Sequence, residues 1–500
     1  MQARITKPQN KLEQLQGELD ELYVNVLGQL GETDSHYIRR VVAIKNILEY
    51  SGRLLILGGA VFWNPIALVI GVLGLSASQI IESMEIGHNV LHGQYDFLND
   101  PKLNSKTYEW DVVVPAEQWK HTHNVIHHDH ANIIGKDYDI GYGSIRVTDQ
   151  LKWNPTHLWQ FFTALFMALD FQHLAALHDS RAPEFLMPKA WRPPAVEPRP
   201  PWSYFFQKVS QYRRKAAKKV FRDYIFYPAL AGPFFLYVLF ANLLARALTN
   251  IWQFSIIFCG HFIENIIFFQ AKDCINETRG QWYVRQILST GNIEGSALFY
   301  FMTGHLSHHI EHHLFPDIPA YRYPEISKEV KKICARYDIP YLTGPFIDQF
   351  LTVWKRILRF SLPNVKEDIG RRSFDMSTLY EPLQIADDSQ KDAGSISTQV
   401  RETGIGKNDF PANPTDQVDM LFSESNRTVK ASTANSILFT AESIGLTPNF
   451  GCRKGVCRTC TVTKRSGRVL DNNTGIESGG GREQIKICVS SPLTNVNLEL

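Results

Sequence analysis

The longest uncharged segment of the chain covers residues 54–81, 28 positions without an acidic or basic side chain. As one α-helix this segment would be ~42 Å long, whereas the hydrocarbon core of a bilayer is ~30 Å thick. Asn64 and Pro65 lie near its middle, and a proline inside an apolar run usually ends a helix because it lacks a backbone N–H. The segment therefore predicts a hairpin of two membrane-crossing helices. Its first helix starts upstream and includes Glu49 and Arg53, which can pair at i,i+4 spacing.

A second pair of apolar segments covers residues 224–245 and 251–270, with Arg246 and a Thr-Asn dipeptide between them. Seven Lys and Arg side chains and no acidic one lie just before this pair, in residues 208–222. A basic run beside a membrane span marks the cytoplasmic side. We therefore expect an α-helical integral membrane protein with four transmembrane helices in two hairpins and a helical cap on the cytoplasmic face.

Other segments predict how the rest of the chain divides. Residues 157–177 are apolar but interrupted by Asp170, which favours a helix in the membrane interface, and residues 188–202 contain six prolines and predict a stiff loop. Residues 385–414 are polar, cannot bury a core and predict a flexible linker. We expect an N-terminal cytoplasmic helical region (1–45), a membrane domain (46–380), a linker (381–414) and a small C-terminal domain (415–500).

The composition bears on the class and the compartment of the protein. A formal net charge of +2 gives no reason to expect a nucleic-acid partner. Of the seven cysteines, Cys259, Cys274 and Cys334 are isolated and the other four lie in the last 50 residues. An odd and uneven set argues against a disulfide framework and for a reducing compartment. The N-terminus lacks the apolar core of a signal peptide, so we expect no cleaved signal.

Histidines concentrate in three short windows. Residues 88–92, 121–130 and 305–313 hold 12 of the 17 histidines of the chain. Each window contains histidines four positions apart, which can project from one face of a helix. A zinc site closes with three or four ligands, so this supply favours two metals in one basin. Imidazole ligands with open positions favour iron that reacts with dioxygen over magnesium or calcium, which prefer oxygen ligands.

One further histidine lies within an apolar segment. His261 falls about halfway along the last predicted span, where a polar side chain is costly and usually functional. With Glu264 one turn on, it is expected to reach the cytoplasmic basin. The alternative is a histidine that only bonds to a neighbouring helix.

The histidine windows resemble those of a known family. The segments EIGHNVLHGQYDF, WKHTHNVIHHDHANIIGKDYDIGY and HHIEHHLFPDIPAYRYPEI look like the three histidine boxes of the membrane-bound fatty acid desaturases, among them the bacterial acyl-CoA Δ9 desaturases. The resemblance covers about residues 40–345. It implies a di-iron centre with the ligands His88, His92, His123, His127, His128, His309, His312 and His313, and His261 as a ninth. It implies no ligand role for His121, His130, His305 and His308.

The same resemblance implies an activity. A di-iron enzyme of this family uses O2 to introduce a cis double bond, here at Δ9, into the saturated chain of an acyl-CoA or a phospholipid, and the metal centre supplies the oxidising power. It also implies a bacterial inner-membrane protein whose working parts face the cytoplasm. Two alternatives stay open, an acyl or alkyl chain hydroxylase on the same scaffold and a non-catalytic, membrane-tethered electron carrier.

The C-terminal cysteines form a second motif. Cys452, Cys457 and Cys460 have C-x4-C-x2-C spacing, and 27 residues separate the third from Cys488. This run resembles that of plant-type [2Fe–2S] ferredoxins, whereas a zinc ribbon would show paired C-x2-C units. The resemblance implies a β-grasp ferredoxin domain in which these four cysteines bind a [2Fe–2S] cluster. No G-x-G-x-x-G follows a strand, so we expect a separate NAD(P)H-dependent flavin reductase as electron donor.

Overall fold

The computed structural model describes residues 10–188, 192, 199–275, 277–367, 417–451, 455 and 458–500. These residues form two compact units, one helical and one rich in β-strands. The predicted linker (381–414) and most of the proline-rich segment 188–202 lie outside the described residues, and the predictions for them stay predictions.

The helical unit consists mainly of α-helices of very different lengths. They are α1 (Lys11–Leu27), α2 (Glu32–Val61), α3 (Pro65–Ile80), α4 (Asn89–Leu91), α5 (Ala116–Trp119), α6 (His128–His130), α7 (Gln160–Leu169), α8 (Phe171–Asp179), α9 (Ala182–Leu186), α10 (Trp202–Phe221), α11 (Tyr227–Ala229), α12 (Phe235–His261), α13 (Arg279–Leu288), α14 (Ala297–Met302), α15 (His309–Leu314), α16 (Tyr323–Arg336) and α17 (Phe346–Phe360). Short parallel strand pairs join distant loops: β1 (Ile133–Ile134) with β2 (Phe269–Gln270), and β3 (Asn292–Glu294) with β4 (Thr343–Pro345).

Helical winding changes where two of the histidine windows lie. Residues Ile81–His88 and Lys120–His127 form π-helices, wider than the α-helix, and each of them ends on a candidate metal ligand. A third π-helical segment, Arg222–Phe226, continues α10. π-Helical turns are rare and occur often at functional sites. The π-helical winding therefore indicates a functional site at these two histidine windows.

The helical turn predicted at Asn64-Pro65 is confirmed. α2 ends at Val61, and α3 begins at Pro65, the position at which a missing N–H costs nothing. The Asn64 side chain caps α3 by accepting a hydrogen bond from the Ala67 N–H at 3.1 Å. The expected i,i+4 pair is also present, because Arg53 Nη2 lies 3.3 Å from Glu49 Oε1.

The predicted turn of the second hairpin was wrong. α12 runs without a break through Arg246 and Asn250, which were expected to separate two helices. The chain reverses instead at residues 230–234, where Gly232 has a φ of 53° and is followed by Pro233. Glycine adopts this left-handed conformation without steric cost, and proline cannot donate to the preceding turn. The Gly-Pro pair, not the charged residue, ends the helix.

Arg246 is compatible with a continuous helix because its charge has partners. Its Nη1 donates to Gln172 Oε1 at 2.8 Å, and its Nη2 lies 3.6 Å from Asp223 Oδ2. Asp223 also accepts a hydrogen bond from Arg53 of α2 at 2.9 Å. An unpaired charge among apolar side chains would be costly, whereas a paired one is tolerated. A charge within an apolar helix therefore indicated a partner from another helix.

Two segments in the described part of the chain are long and apolar enough to cross a membrane, Pro65–Leu91 and Gly232–His261. The first predicted span lies in α2, which carries more charged side chains, and the predicted spans 224–245 and 251–270 both overlap α12. The four predicted spans are therefore not all found among the described residues. The segment predicted to be one helix in the membrane interface forms two helices, α7 and α8, which separate at Asp170. The large apolar side chains exposed along it are Leu158, Trp159, Phe162, Leu165, Phe166 and Leu169.

The β-rich unit is a mixed sheet with one helix. Its elements are β5 (Gln417–Phe422), β6 (Arg427–Ser432), α18 (Ile437–Ser443), β7 (Thr461–Ser466), β8 (Val469–Asp471), β9 (Glu483–Lys486), β10 (Ser490–Pro492) and β11 (Val496–Leu498). Five strands form one sheet in the order β6–β5–β11–β7–β9. Ile437 and Leu438 of α18 are buried in the same core as Met420 and Phe422 of β5. This arrangement agrees with the ferredoxin domain that the cysteine spacing predicts.

Candidate metal centre

The nine histidines predicted as ligands come from distant parts of the chain and converge in the helical unit. His88 ends the first π-helix, and His92 follows α4. His123 and His127 lie in the second π-helix, and His128 begins α6. α15 contributes three histidines, and α12 ends on the ninth. All nine are buried except His123, which is half-buried.

The first group of imidazoles joins all three windows. One ring nitrogen from each of His88, His92, His123 and His312 lies within 4.8 Å of the corresponding nitrogens of the others. His128 adjoins the group, because its Nε2 lies 3.2 Å from His123 Nε2. Such a cluster of converging nitrogens can surround one metal ion.

The second group lies next to the first. His127, His261 and His313 each place one nitrogen within 4.8 Å of the others. His261 Nε2 lies 3.0 Å from His127 Nε2 and 2.8 Å from His309 Nε2. The rings of His128 and His313 stack with centroids 4.3 Å apart, so the two groups adjoin. The structure thus brings together two neighbouring sets of imidazoles, as a di-metal centre requires.

Side chains and carbonyls around the histidines orient the rings. His127 Nδ1 lies 3.0 Å from Asp137 Oδ1, and His313 Nδ1 lies 2.9 Å from Gln286 Oε1. His309 Nδ1 donates to the Leu306 carbonyl at 3.1 Å. In each case the hydrogen bond uses Nδ1, which leaves Nε2 with its lone pair directed elsewhere. Metal-binding histidines are typically held this way by their second nitrogen.

The protonation of the rings suits metal binding. Burial lowers the pKa of His92, His312 and His313 well below the ordinary histidine value, with further lowering from neighbouring histidines. Neutral imidazole is the form that binds a metal ion. Burial also opposes charge on His127, but the carboxylates of Asp137 and Asp139 outweigh it and raise the pKa of this ring.

Ring nitrogens without hydrogen-bond partners also indicate that the histidines bind metal ions. The Nε2 atoms of His92 and His313 and both nitrogens of His312 are buried and have no hydrogen-bond partner among the described residues. Buried polar atoms are usually hydrogen-bonded, and unpaired ones require an explanation. Metal coordination provides it for one nitrogen of each of these rings, since a ligand nitrogen needs no proton donor.

The orienting residues were not predicted. Asp137 and Asp139 follow the second histidine window, and Asp139 Oδ2 lies 3.7 Å from His123 Nδ1. Asp139 Oδ1 lies 3.0 Å from His178 Nε2, which brings in a histidine from outside all three windows. In the sequence, the only sign of these orienting residues was the presence of two aspartates shortly after the second window. Gln286 had no local signal, because only the fold places it beside His313.

The four histidines without a predicted ligand role stay outside the two groups. His305 Nδ1 lies 3.0 Å from Glu85 Oε2, and the His308 ring lies against Tyr300. His130 Nδ1 donates to the Ile126 carbonyl at 3.1 Å, and His121 is exposed. Neither metal-binding group contains any of these four.

The expected position of His261 requires a correction. It ends α12 rather than lying halfway along a span, because the helix begins and ends earlier than predicted. Glu264 is consequently not on the next helical turn. It is exposed and lines a separate small pocket with Arg356 and Arg359. His261 nevertheless reaches the histidine basin, as the sequence predicted.

An apolar cavity adjoins the histidines. It is bordered by His88, His123, His127, His261 and His309. The apolar part of its wall includes Met84, Val112, Val114, Phe171, Ile257 and Phe262. A long apolar chain suits such a wall, because each buried methylene contributes about 0.8 kcal/mol. The arrangement can therefore hold an alkyl chain beside two metal ions.

Two of the four predicted cluster cysteines lie within the described residues, and Cys452 and Cys457 do not. Cys460 is buried and directly precedes β7. Cys488 follows the end of β9, with one residue between them. β7 and β9 are antiparallel, with Thr461 opposite Lys486. The pairing therefore brings Cys460 and Cys488 to the same end of the sheet, although 27 residues separate them in sequence.

These features define a membrane-associated helical protein with a histidine-ligated di-metal site and a separate iron–sulfur domain. The family model described as fatty acid desaturase matches residues 60–345, and the 2Fe-2S iron-sulfur cluster binding domain matches residues 422–493. The chain belongs to the fatty acid desaturase family and carries its own electron-transfer domain. Its cofactors are two iron ions and one [2Fe–2S] cluster.

Comparison with individual proteins agrees with this assignment. The chain is 39% identical over 357 residues to the NADPH-dependent stearoyl-CoA 9-desaturase of Mycobacterium tuberculosis, which covers 71% of this chain and 81% of the relative. It is 23% identical to the sn-1 linoleoyl-lipid 6-desaturase of Synechocystis over 57% of this chain and 79% of that protein. It is 25% identical to the acyl-lipid (8-3)-desaturase of Physcomitrium patens, over 58% and 62%.

Proposed function

We propose that the protein introduces a cis double bond at the ninth carbon of a saturated fatty acyl chain carried as an acyl-CoA. The observation that carries this proposal is the convergence of nine histidines, five of which border one apolar cavity. The carrier and the position rest on similarity, because the relative that shares 39% of its residues is named for a CoA ester and the ninth carbon. The two lipid desaturases share 23% and 25%.

The proposed iron ligands form two sets. His88, His92, His123 and His312 hold one ion, and His127, His261, His309 and His313 hold the other, with His128 between the two sets. The bound iron supplies the power to activate O2 and remove hydrogen from an unactivated methylene pair. The protein orients the ligand rings through Asp137, Asp139 and Gln286. The apolar wall positions the acyl chain and excludes bulk water.

The proposed electron path uses the C-terminal domain. Reduction of O2 to two water molecules takes four electrons, of which two come from the C–H bonds and two from a donor. A [2Fe–2S] cluster held by Cys452, Cys457, Cys460 and Cys488 carries one electron at a time. A separate NAD(P)H-dependent flavin reductase supplies these electrons, which agrees with the name of the mycobacterial relative.

The proposed topology places both working parts in the cytoplasm. α3 and α12 are two of the spans, and the second half of α2 pairs with α3 as a third. The basic residues of α10 then lie on the cytoplasmic side, in agreement with the positive-inside rule. The domain limits that we propose are 1–45, 46–380, 381–414 and 415–500, in a bacterial inner membrane.

Expression with a flavin reductase in a host that lacks the product tests the proposal. New double bonds are located by mass spectrometry, with the His313→Ala variant as the inactive control. A Δ9 monounsaturated product confirms the proposal, and a hydroxylated chain would assign the protein to the hydroxylases instead. Membranes supplied with stearoyl-CoA or with a stearoyl phospholipid then identify the carrier. Product from the phospholipid alone would contradict the acyl-CoA assignment.

A further inference from the structure

Asp179 is a buried carboxyl group that the ligand set leaves without a role. It is the last residue of α8, it is 6% exposed, and it lines the same cavity as His123 and His127. It belongs to neither metal-binding group, and no histidine window contains it. A polar side chain in this wall is therefore unexplained by metal binding.

The two oxygens of this carboxyl have different surroundings. Thr122 Oγ1 donates a hydrogen bond to Asp179 Oδ1 at 2.9 Å, while the Thr122 hydroxyl also lies 3.2 Å from the carbonyls of Gln118 and Trp119. Asp179 Oδ2 is buried and has no hydrogen-bond partner among the residues that the structure describes. Thr122 thus holds the carboxyl group in place through Oδ1. The second oxygen, Oδ2, makes no hydrogen bond within the described residues.

The charges around Asp179 permit it to carry a proton. Burial raises the pKa of Asp179 to about 7, with a contribution from Asp139, against the opposing effects of His178, Thr122 and Lys208. A carboxylate without a full counter-charge is costly to bury, and protonation removes this cost. A proton on Oδ2 also turns the unpaired oxygen into a hydrogen-bond donor in a residue that lines the cavity.

We propose that Asp179 delivers a proton from Oδ2 to the oxygen that is reduced in the cavity. This inference rests on the proposed function. Desaturation consumes one O2, two hydrogens of the methylene pair, two donor electrons and two protons, and it yields one double bond and two water molecules. The two protons come from solvent. When Asp179 acts, its O–H bond breaks, an O–H bond forms on the reduced oxygen, and water reprotonates the carboxylate.

The Asp179→Asn variant removes the proton but keeps the shape of the side chain and an oxygen for Thr122. We expect unchanged iron content and cluster absorbance and a loss of product formation on the order of 10²-fold, typical of a lost general acid. Electrons consumed per double bond should rise above two, because O2 reduction is no longer matched to chain oxidation. Asp179→Glu should recover part of the rate.

Two further readouts separate proton delivery from a structural role. The rate of the wild-type enzyme should fall as the pH rises through about 7, because the acid is then ionised, and this limb should be absent in Asp179→Asn. Infrared spectra of the resting protein at pH 6 should contain the carbonyl band of a protonated carboxyl that Asp179→Asn lacks. The exposed Asp338→Asn substitution is the matched control and should keep the band.

The inference is overturned if the band is the same in wild type and Asp179→Asn, or if that variant retains the pH profile and electron count of the wild type. If Asp179→Asn fails to bind iron, the pH profile of Thr122→Val tests the proposal instead. Loss of a hydrogen bond that lowers the pKa should move the alkaline limb to higher pH, and an unmoved limb contradicts the proposal. A wild-type enzyme that forms no double bond refutes the proposed function instead, and the infrared band still decides whether Asp179 is protonated.

Discussion

The Nε2 atoms of His127 and His261 lie 3.0 Å apart, although 134 positions separate the two residues in the chain. The first ends a π-helix in the loops after the first hairpin, and the second ends α12. A metal ion shared by these nitrogens would tie the end of the long apolar helix α12 to the rest of the histidine basin. The long helix is therefore part of the proposed metal centre and not merely its anchor.

His261→Ala should abolish product formation and lower the non-cluster iron content, because it removes a nitrogen that lies within 3.0 Å of two other ligand nitrogens. Metal analysis and product assay check this, while the visible spectrum of the cysteine site should not change. His121→Ala is the matched control, since this histidine belongs to the same window as His123 but is exposed. Normal iron content in His261→Ala would remove this residue from the ligand set.

Asp137→Asn should weaken iron binding by roughly 10- to 100-fold while the fold persists. The carboxylate 3.0 Å from His127 Nδ1 fixes the orientation of that ring and its basicity, and an amide does so less well. Titration of the iron-free protein with Fe(II) measures the change. Asp338→Asn, at an exposed position, should bind iron as the wild type does. Equal affinities for the two variants would show that Asp137 does not support a ligand.

Cys460→Ser should remove the absorbance of the [2Fe–2S] cluster and leave the histidine-bound iron in place. Cys460 lies beside Cys488 at one end of the β7–β9 pair and is one of the four proposed ligands. Turnover with the flavin reductase should fall severely and recover in part when a separate ferredoxin is added. Cys274→Ser should keep the absorbance. An intact cluster in Cys460→Ser would refute the ligand assignment.

Asp34→Asn should destabilise the helical unit by about 3 kcal/mol at neutral pH, as expected when one partner of a buried ion pair is removed. Arg322 Nε and Nη2 donate to the two oxygens of Asp34 at 2.7 and 2.8 Å. Burial opposes ionisation of Asp34, but the hydrogen bonds from Arg322 and the Gly31 N–H outweigh it and lower the pKa. The pair therefore stabilises the fold above the ordinary aspartate pKa.

The pH dependence of this effect follows from the lowered pKa of Asp34. The contribution of the pair is lost as the pH falls through that lowered value, so wild type and Asp34→Asn should converge in strong acid. Thermal unfolding in detergent at neutral and acidic pH measures the difference. A gap in melting temperature that is independent of pH would contradict an ionic origin.

Lys464→Met should destabilise the ferredoxin domain by about 3 kcal/mol. The Lys464 ammonium is buried, donates to the carbonyls of Gly467, Gly479 and Gly481 at 2.6–2.7 Å, and lies 2.9 Å from Glu483 Oε1. Its loss leaves these groups without their donor. Loss of cluster absorbance on heating should occur at a lower temperature than in the exposed control Lys430→Met. Equal transitions would show that the lysine does not hold this loop.

The features read correctly from the sequence were those whose signal is local. Histidines four apart predicted ligand faces, the cysteine spacing predicted an iron–sulfur domain, and Asn64-Pro65 predicted a helical turn. Each depends on residues within a few positions of one another, where backbone geometry alone relates the side chains. The same local reading failed at Arg246, because the partners that stabilise this charge, Gln172 and Asp223, come from other helices.

The sequence by itself indicated the family and the two cofactors, and it predicted the residues that bind them. Only the tertiary structure showed that the predicted ligands converge, that Asp137, Asp139 and Gln286 contact their rings, and that His261 reaches them from the end of α12. It also placed Asp179 in the cavity wall with one oxygen unpaired. The physical reason is that these relationships join residues tens to hundreds of positions apart, and their geometry arises only when the helices pack.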